Sequence, residues 1–429
     1  MSAQNRSAEN TNEHWGPVMR VIFRALSLLT LILAVACGTS SNSSPSTNGS
    51  VATGANVIPI TVNAGPAGTY TNGLFASVTV CVPNSSNCQT IDNVLVDTGS
   101  EGLRLLNSVV TVALPNETIG GNTVAECVQY ADGSFNWGSV RLADVRFGGE
   151  QANSVPIQIA GDLPASTIPT NCSTNVTTGG SGTENDTVQS LGANGILGLG
   201  PFREDCGPNC PSSSAALPNG VYLPYYTCPA NGACQPTAVS LSEQLQNPVW
   251  KFSHNNNGVI VDLPAVSDNG APSVNGSLIL GIGTQSNNDL GSATVLKVDS
   301  GGNFTTTFNN QSYGQSFIDS GSNGLYFPNA TNIATCSSNA DFYCPGSTLT
   351  LSATNTGESG RRSDLTFSVA NAEMLFSSGS GTNKAFNNLA GMNPPPSFDW
   401  GLPLFFGRRV FTAIESQSTP AGVGPYFAY

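Results

Sequence analysis

Two aspartates stand in closely similar surroundings and are the residues best suited to chemistry. Asp97 ends the apolar run VLV and opens Asp-Thr-Gly-Ser, and Asp319 follows SFI and opens Asp-Ser-Gly-Ser. A carboxylate at the end of a buried strand needs hydrogen-bond donors, because burying an unsatisfied charge is costly. Glycine helps to supply them, since it lets the backbone turn tightly and point its N–H groups at the carboxylate. We therefore expect one site built from both halves of the chain.

The chemistry open to such a pair is acid–base catalysis with a shared proton. Two carboxyls within hydrogen-bond distance cannot both ionise cheaply, so they titrate as a coupled pair. The ionised member can draw a proton from a water molecule, while the protonated member hydrogen-bonds a carbonyl group. Such a site adds water to an amide without a covalent enzyme intermediate, and it works best in acid.

The residues that follow each aspartate are expected to support it. Thr98 and Ser320 would brace the two loops by hydrogen bonds across the interface between the halves. Gly99 and Gly321 would meet backbone requirements and take no part in the chemistry. An alternative interpretation stays open, in which the two aspartates simply end buried strands in ordinary turns.

Composition excludes several other function classes. The chain has two histidines, His14 and His254. A serine triad needs a histidine base and a histidine-rich metal centre needs several, so neither is expected. No glycine-rich phosphate loop with its lysine is present. A formal net charge of −13 would repel nucleic acid. We expect no cofactor, no metal and no nucleic-acid partner.

The low charge content predicts the fold class. Only 10% of the 429 residues are charged, while 47 are glycine and 27 are proline, which favours short strands separated by turns. The length exceeds one typical core. We predict an all-β chain with an N-terminal lobe at residues 57–247, carrying Asp97, and a C-terminal lobe at residues 248–429, carrying Asp319. Residues 239–245, VSLSEQL, are the best helix candidate, with Ser240 as N-cap and Glu243 three residues later.

Further segments accompany the two aspartate loops in a recognisable order. Tyr130 stands in YADGSFNWG, NGILGLG occupies residues 194–200, and GSLILGIG occupies residues 276–283. Together with VLVDTGS and FIDSGS, these motifs resemble those of the pepsin-like aspartic peptidases. The resemblance extends from about Val57 to Ala428. The chain also resembles a divergent family of bacterial lipoproteins that carries this fold and has no established activity.

The resemblance implies both a fold and an activity. It implies a bilobal pepsin-like acid-protease fold, with two β-barrel-like lobes and a central cleft. It also implies Asp97 and Asp319 as catalytic residues, and Tyr130 as the tyrosine of a hairpin flap that closes over the substrate. NGILGLG would be the strand of two hydrophobic residues and a glycine that crosses behind the first aspartate. The partner would be an extended polypeptide substrate or a peptide ligand, and the protein would be a monomer.

Two departures from the family pattern favour a rival hypothesis. Arg104 stands where the family usually has a tryptophan supporting the flap, so we expect it to hold Tyr130 by a hydrogen bond or a cation–π contact. Pro403 takes the place of the glycine expected in the equivalent strand of the second lobe. The rival is a catalytically inactive pepsin-like envelope lipoprotein that binds peptide or glycan. A third hypothesis, a mainly structural lipoprotein, predicts no ligand in the cleft.

The N-terminus predicts export and lipid attachment. Residues 25–36 form an uncharged apolar run, preceded by Arg20 and Arg24, that is short for a membrane span. Ala-Val-Ala-Cys resembles a bacterial lipoprotein processing site, with a signal peptide at residues 1–36, Cys37 lipidated, and a flexible Ser/Gly-rich tether at residues 37–56. Gly38 is not the aspartate typical of inner-membrane retention. We expect membrane contact through lipid on Cys37 in the bacterial cell envelope, with the outer membrane favoured; an uncleaved anchor is the alternative.

Cysteine usage supports an oxidising compartment. The chain has 11 cysteines, and setting Cys37 aside for lipid leaves an even number. Sequence alone does not fix the connectivity. Short spacings favour four pairs and leave one longer-range pair, in this order: Cys81–Cys88, Cys206–Cys210, Cys228–Cys234, Cys336–Cys344, and Cys127 with Cys172.

Overall fold

Extended segments dominate the structure because short apolar runs alternate with turn-forming residues. The computed structural model describes residues 52–174, 179–208, 224–329, 331–393 and 397–429. These residues have an all-β, bilobal fold, which confirms the predicted fold class. They belong to one compact unit.

The described residues before position 247 contain eleven strands and two very short α-helices. The strands are β1 Val57–Asn63, β2 Gly73–Cys81, β3 Cys88–Asp97, β4 Glu101–Leu106, β5 Thr118–Ile119, β6 Asn122–Gln129, β7 Phe135–Phe147, β8 Glu150–Ala160, β9 Gly195–Leu199, β10 Tyr225–Cys228 and β11 Gln235–Pro236. The helices are α1 Thr170–Ser173 and α2 Val188–Leu191, and 3₁₀ turns occur at Asn107–Val109 and Ala165–Thr167.

The described residues after position 247 contain fourteen further strands and one α-helix. The strands are β12 Gly258–Leu263, β13 Val274–Leu280, β14 Val295–Lys297, β15 Phe304–Phe308, β16 Gln311–Ile318, β17 Leu325–Phe327, β18 Leu349–Thr356, β19 Arg362–Val369, β20 Ala390–Met392, β21 Ser397–Trp400, β22 Arg408–Ala413, β23 Ser418–Thr419, β24 Gly422–Val423 and β25 Tyr426–Ala428. The helix is α3 Ala372–Ser377, and 3₁₀ turns occur at Pro248–Lys251, Ser378–Gly381 and Leu402–Phe405.

One long sheet runs through both halves of the described chain. Its strand order is β11, β10, β6, β7, β8, β4, β9, β3, β2, β1, β13, β12, β22, β25 and β14, and β5 pairs with β6. The halves join where β1 pairs antiparallel with β13, with Ile60 opposite Gly276. A second sheet has the order β19, β18, β15, β16, β21, β17 and β20. Because strands from both halves share the first sheet, the lobe boundary after residue 247 stays a prediction.

The same three-strand arrangement occurs in each half and carries one aspartate. In the first half, β9 lies between β3 and β4, parallel to β3 and antiparallel to β4. In the second half, β21 lies between β16 and β17 in the same directions. Asp97 is opposite Gly198, and Ile318 is opposite Trp400, so that Asp319 comes level with Gly401. The two aspartates therefore occupy equivalent ends of two similar sheets.

Apolar packing beneath the aspartates fixes these strands. In the first half, Val96 and Leu197 are fully buried on adjacent strands. In the second half, the Phe398 ring stacks on Phe327 and Trp400, with centroid distances of 5.0 and 4.4 Å. Each fully buried side chain of this size stabilises the fold by roughly 1.5–3 kcal/mol. The aspartates thus begin their loops from rigid strands.

The helix predicted at residues 239–245 is wrong, because these residues form a turn. The Ser240 N–H donates to Glu243 Oε2 at 2.7 Å, so the predicted capping contact exists without a helix. A single capped turn is not a stable helix, since helical stability in proteins comes mostly from packing an apolar face. The Asn247 side chain then accepts a hydrogen bond from Val249 N and starts a 3₁₀ turn instead.

Disulfides cross-link several segments of the described chain, and Cys81, Cys127 and Cys172 are fully buried. Four predicted pairs are present: Cys81–Cys88, Cys127–Cys172, Cys228–Cys234 and Cys336–Cys344. Cys206 is also disulfide-bonded, while Cys210, its predicted partner, lies outside the described residues.

The predicted export segment also lies outside the described residues, which begin at residue 52. Signal peptide, Cys37 and most of the tether therefore stay predictions. Within the described part of the chain, no helix has the length and apolar character needed to cross a membrane.

Candidate active site

Asp97 lies at the end of β3, where the chain turns back on itself. The Gly99 N–H donates to Asp97 Oδ1 at 2.8 Å, and the Ser100 hydroxyl donates to Oδ2. Each carboxylate oxygen therefore has a donor from its own loop. Asp97 is 8% exposed, whereas Gly99 next to it is exposed, so the loop meets solvent on one side.

Asp319 follows β16 and has the same local geometry. The Gly321 N–H donates to Asp319 Oδ1 at 2.7 Å, and the Ser322 hydroxyl donates to Oδ2 at 2.7 Å. The side chain is half-buried. The two loops are thus structural repeats of each other, as their sequences predict.

Thr98 and Ser320 connect the loops directly. Thr98 N donates to Ser320 Oγ at 3.1 Å, and Ser320 N donates to Thr98 Oγ1 at 3.0 Å. Each hydroxyl also donates to the opposite strand, Thr98 to Ile318 O at 3.3 Å and Ser320 to Val96 O at 2.7 Å. All four bonds are buried, so the two halves are tied together immediately behind the carboxyls.

Gly99 and Gly321 are required by the close approach of the two loops. A Cβ atom on Gly99 would lie 2.6 Å from Asp319 Cγ, and one on Gly321 would lie 2.7 Å from Asp97 Oδ1. Each carboxyl therefore packs against the glycine of the opposite loop. This packing brings the two carboxyls close enough for Asp97 to raise the pKa of Asp319. We call these two aspartates the dyad.

The electrostatics of the dyad favour one retained proton. Burial, the Asp97 charge and the Asp399 charge raise the pKa of Asp319 well above its usual value, whereas the Ser322 hydrogen bond opposes the rise. Because a second negative charge beside Asp97 is unfavourable, Asp319 keeps its proton to a higher pH than an isolated aspartate does. The arrangement can supply a base and an acid at adjacent positions.

A glycine lies behind each aspartate, and the second one is Gly401. A Cβ atom on Gly198 would lie 2.8 Å from Glu101 N, and one on Gly401 would lie 2.1 Å from Gly324 O. The expectation that Pro403 replaces this glycine is wrong, because the strand register places Gly401 level with the second aspartate. Pro403 lies two residues later, in a 3₁₀ turn. The glycine support is therefore present in both halves.

Tyr130 lies at the tip of the hairpin formed by β6 and β7, close to the dyad. Its hydroxyl donates to Asn136 Oδ1 at 2.6 Å, and its ring packs in a cluster that includes Phe75 and Leu95. Burial raises the pKa of Tyr130, and the Asp97 charge contributes to the rise. The ring thus stands on the first half, beside the carboxyls, as a flap residue would.

Arg104 does not hold the Tyr130 hydroxyl, contrary to one of the two contacts expected. Arg104 Nη2 donates to Glu126 Oε1 at 2.6 Å and to Asp205 Oδ2 at 3.2 Å. Asp205 Oδ1 in turn accepts the Tyr225 hydroxyl at 2.8 Å. The arginine is drawn to these buried acids because a fully buried charge needs opposite charges as partners. We call Arg104, Glu126 and Asp205 the ion cluster.

The ion cluster contains two carboxyl groups and only one cation. Burial, and then Glu126, raise the pKa of Asp205 well above its usual value, because Arg104 cannot neutralise both carboxyls. Glu126 lies on β6, the strand that leads to the tip of the β6–β7 hairpin. The cluster therefore anchors the base of the hairpin to the body of the first half.

Asn72, which sequence analysis missed, joins the two halves on another side of the site. Its amide nitrogen donates to Asn323 O at 2.8 Å and to Phe386 O at 2.9 Å, and its oxygen accepts from Phe386 N at 2.7 Å. Its φ of 54° lies in the left-handed region that asparagine tolerates. Asparagine before glycine is a turn signal, but nothing in the sequence indicates its partners.

Tyr70 was also missed, although it lies near both carboxyls. Burial raises its pKa, with further contributions from the charges of Asp97 and Asp319. The ring contacts Phe75 edge to face, with a centroid distance of 5.7 Å. It also packs directly against Gly192, where a Cβ atom would lie 2.4 Å from Tyr70 Cδ2. It adds a second aromatic side chain to the surroundings of the dyad.

A metal centre has little support in the described residues. The grouping of ligand-type side chains found there is Cys336, Cys344 and Glu373, and its two cysteines form a disulfide. Sulfur atoms in a disulfide offer no thiolate ligand. The residues therefore do not fit a zinc site.

Comparisons with known proteins place the chain as follows. One family model, described as "Protein of unknown function (DUF3443)", matches residues 52–429. No curated protein matches the chain. Among solved structures, the aspartic proteinase from Irpex lacteus aligns with 14% identity and a TM-score of 0.43, covering 87% of this chain and 96% of that one.

Proposed function

Because the chain belongs to this family, whose description states no activity, we propose its function from its own site: an aspartic endopeptidase that hydrolyses peptide bonds. The observation that carries the proposal is the close approach of Asp97 and Asp319. Each carboxyl packs against the glycine of the opposite loop and is held by a glycine N–H and a serine hydroxyl of its own loop. Fixed donors and a shared proton are what water activation by two carboxyls requires.

The proposed reaction is direct addition of water to the peptide carbonyl. The ionised carboxyl takes a proton from a water molecule, whose oxygen bonds to the carbonyl carbon, while the protonated carboxyl gives its proton to the carbonyl oxygen. The carboxyl that took the proton from water then gives it to the nitrogen as the C–N bond breaks. One hydroxyl of the tetrahedral intermediate returns its proton to the other carboxyl, which leaves a carboxylic acid and an amine. The dyad ends with the single proton that it had at the start.

The contact between the carboxyls also separates this proposal from glycoside hydrolysis. Retaining glycosidases hold their carboxyls roughly 5–5.5 Å apart and inverting ones about 6.5–9.5 Å apart, to leave room for the sugar or a water. Carboxyls that each pack against the glycine of the opposite loop leave no such room. The substrate we propose is an extended polypeptide beside Tyr130 and Tyr70, where aromatic rings offer apolar contacts.

The test is hydrolysis of a denatured protein at pH values between about 3 and 6. Asp97→Asn and Asp319→Asn should each abolish cleavage, because the amide can neither serve as the base nor share the proton. Asp92→Asn is the matched control, since Asp92 is an exposed residue of the same strand and contacts Ser77. Cleavage that persists in both dyad variants would refute the proposal.

A binding function without turnover is the outcome that would favour the rival hypothesis. The wild type would then bind peptide or glycan stably at every pH and cleave nothing. One motive for that hypothesis, the missing glycine of the second half, no longer applies, because Gly401 takes this position.

We also propose a location, on sequence grounds. The apolar run at residues 25–36 and Cys37 support a lipid-anchored, monomeric protein of the bacterial envelope, with the outer membrane favoured. Mass spectrometry of the N-terminal peptide of the exported protein tests this directly. An unmodified Cys37 in that peptide would count against the anchor.

A further inference from the structure

Asp399 is a third buried carboxyl beside the dyad. It lies on β21 and is 6% exposed. Its carboxyl hydrogen-bonds the Ser322 hydroxyl, while its Oδ1 atom has no hydrogen-bond partner among the described residues. Burial raises the pKa of Asp399 to about 8; the Ser322 hydrogen bond opposes the rise and the Asp97 charge adds to it. An incompletely paired buried acid at this place needs an explanation.

The fold does not need a carboxyl at this position. Asp399 is opposite Phe317 on β16, just as Ile196 is opposite Leu95 on β3. Ile196 packs in an apolar cluster, so an aliphatic side chain serves the equivalent place in the first half. Burying a carboxyl is unfavourable compared with burying an isoleucine. A role in the site explains Asp399 better than a role in packing.

Ser322 links Asp399 to the dyad through a single hydrogen atom. That hydroxyl donates to Asp319 Oδ2 at 2.7 Å. The same hydroxyl favours the charged form of Asp399, so the two carboxyls share one donor that can serve only one of them at a time. Once Asp399 ionises, it competes with Asp319 for the hydrogen of Ser322.

The order in which the acids ionise follows from their partners. Burial and the Asp97 charge hold the proton on Asp319. At Asp399 the Ser322 hydrogen bond outweighs the Asp97 charge, and after ionisation Asp399 can accept the Ser322 hydroxyl. The titratable groups that face Asp399 are the two dyad acids and Tyr326 on β17, whose pKa is raised by burial and by the Asp399 charge. All of these neighbours are neutral or negative.

We propose that Asp399 is a positioning residue for the catalytic proton: it ionises before Asp319, accepts the Ser322 hydrogen, and its charge then keeps the remaining proton on Asp319. This inference rests on the proposed peptidase function. Both consequences of ionisation act in one direction, since Asp319 loses a donor that favoured its charged form and gains a negative neighbour. Once ionised, Asp399 would thereby keep the dyad active to a higher pH than the two dyad acids alone allow.

The protonation state that Asp319 needs for catalysis determines the direction in which Asp399→Asn shifts the pH profile. Cleavage needs a protonated Asp319, so activity is lost as the pH rises through the pKa of Asp319. A negative Asp399 raises that pKa, and its removal lowers it. Asp399→Asn should therefore move the alkaline limb of the kcat profile to lower pH by about one unit, with kcat at the acid optimum within about threefold of wild type and KM unchanged.

Two further variants separate this role from a structural one. Asp399→Ile copies the residue of the first half and should show the same limb shift, whereas Asp399→Glu keeps a carboxyl and should restore the wild-type limb. A loss of kcat by the same factor at every pH would indicate a structural role and overturn the inference. An unshifted limb in Asp399→Asn would overturn it as well.

Infrared difference titration of protonated carboxyl groups gives a second readout that needs no turnover. The wild type should lose carboxyl signal near the dyad in two steps, and Asp399→Asn should lack the first and show the second at lower pH. Identical titrations would refute the role of Asp399. A wild type that cleaves nothing at any pH would refute the proposed function separately, and the titration would still decide whether Asp399 controls the proton on Asp319.

Discussion

Thr98 and Ser320 exchange hydrogen bonds between the two halves of the chain, each giving its N–H to the other's hydroxyl at 3.1 and 3.0 Å. Each follows a dyad aspartate directly in sequence. The residues next to the carboxyls therefore help to set the separation of the carboxyls. Small errors in such a separation are expensive, since a displacement of about 1 Å can cost roughly a hundredfold in rate.

Thr98→Val should weaken both the fold and the activity. Valine keeps the shape of threonine but leaves the buried N–H of Ser320 without its acceptor. We expect the free energy of unfolding to fall by about 1–3 kcal/mol, and kcat to fall about tenfold with a smaller change in KM. Urea unfolding and steady-state kinetics measure the two effects. Thr79→Val, at a half-buried threonine of β2 away from the dyad, is the control and should leave kcat unchanged. Wild-type kcat in Thr98→Val would contradict the bracing role.

Gly99→Ala should separate the dyad without removing a chemical group. The new methyl group would lie 2.6 Å from Asp319 Cγ, closer than atoms can pack, so the Asp319 carboxyl must move. We expect kcat to fall by about a hundredfold. Gly314→Ala on β16 is the matched control, because a Cβ atom there has open space, and its kcat should equal that of the wild type. An active Gly99→Ala would show that the carboxyl contact is not needed.

The sequence predicts the two Asp loops well because each loop forms its hydrogen bonds among residues that are close in sequence. Asp97 needs only the next three residues to complete its hydrogen bonds, and a Gly-Ser pair in that frame supplies them. The contact between Asp97 and Asp319 is different, since it depends on how the halves pack. The similar sequences around Asp97 and Asp319 suggested that the two carboxyls come together, but the sequence alone left ordinary turns as an alternative.

Residues whose role depends on strand register were beyond sequence reasoning. The segment FDWGLPLF contains Gly401 and Pro403, and matching its apolar residues to NGILGLG placed the glycine position two residues too late. That shift also hid Asp399, which the correct register places beside the dyad. The prediction for Arg104 considered only Tyr130, the residue that its position in the family pattern would support. Its partners in the structure include Asp205, which is far away in sequence.

Arg104→Met should destabilise the protein strongly. It leaves two buried acids, Glu126 and Asp205, without their cation. Removing one partner from a buried ion pair typically costs about 3–5 kcal/mol. Arg409→Met is the control, because both side chains of the Arg409–Asp262 pair are 36% exposed and the pair should contribute only about 0–1 kcal/mol. Equal losses in the two variants, measured by urea unfolding at neutral pH, would contradict the importance of the ion cluster.

The deficit of Arg104→Met should also depend on pH. The folded-state pKa of Asp205 is raised, first by burial and then by Glu126, so the folded chain holds this proton more tightly than the unfolded chain. Such a group adds stability below the unfolded carboxyl pKa of about 4, and this contribution is lost as the pH rises through the folded pKa. Without Arg104 the folded pKa rises further. We expect the deficit to be small in acid and to grow toward neutral pH; a deficit that is constant with pH would contradict this linkage.

Tyr130 should contribute mainly through its ring, with a smaller part from its hydroxyl. Tyr130→Phe removes the donor to the buried Asn136 Oδ1 but keeps the packing, and we expect kcat/KM to fall by less than about tenfold. Tyr130→Ala also removes the ring from the cluster around Phe75, so that the hairpin loses its support, and kcat/KM should fall by about a hundredfold. Tyr313→Phe is the control, since the Tyr313 hydroxyl donates to an exposed glutamine, and it should behave as wild type. If Tyr130→Ala cleaves as well as the wild type, the hairpin does not close over the substrate, and another element must exclude water from the dyad.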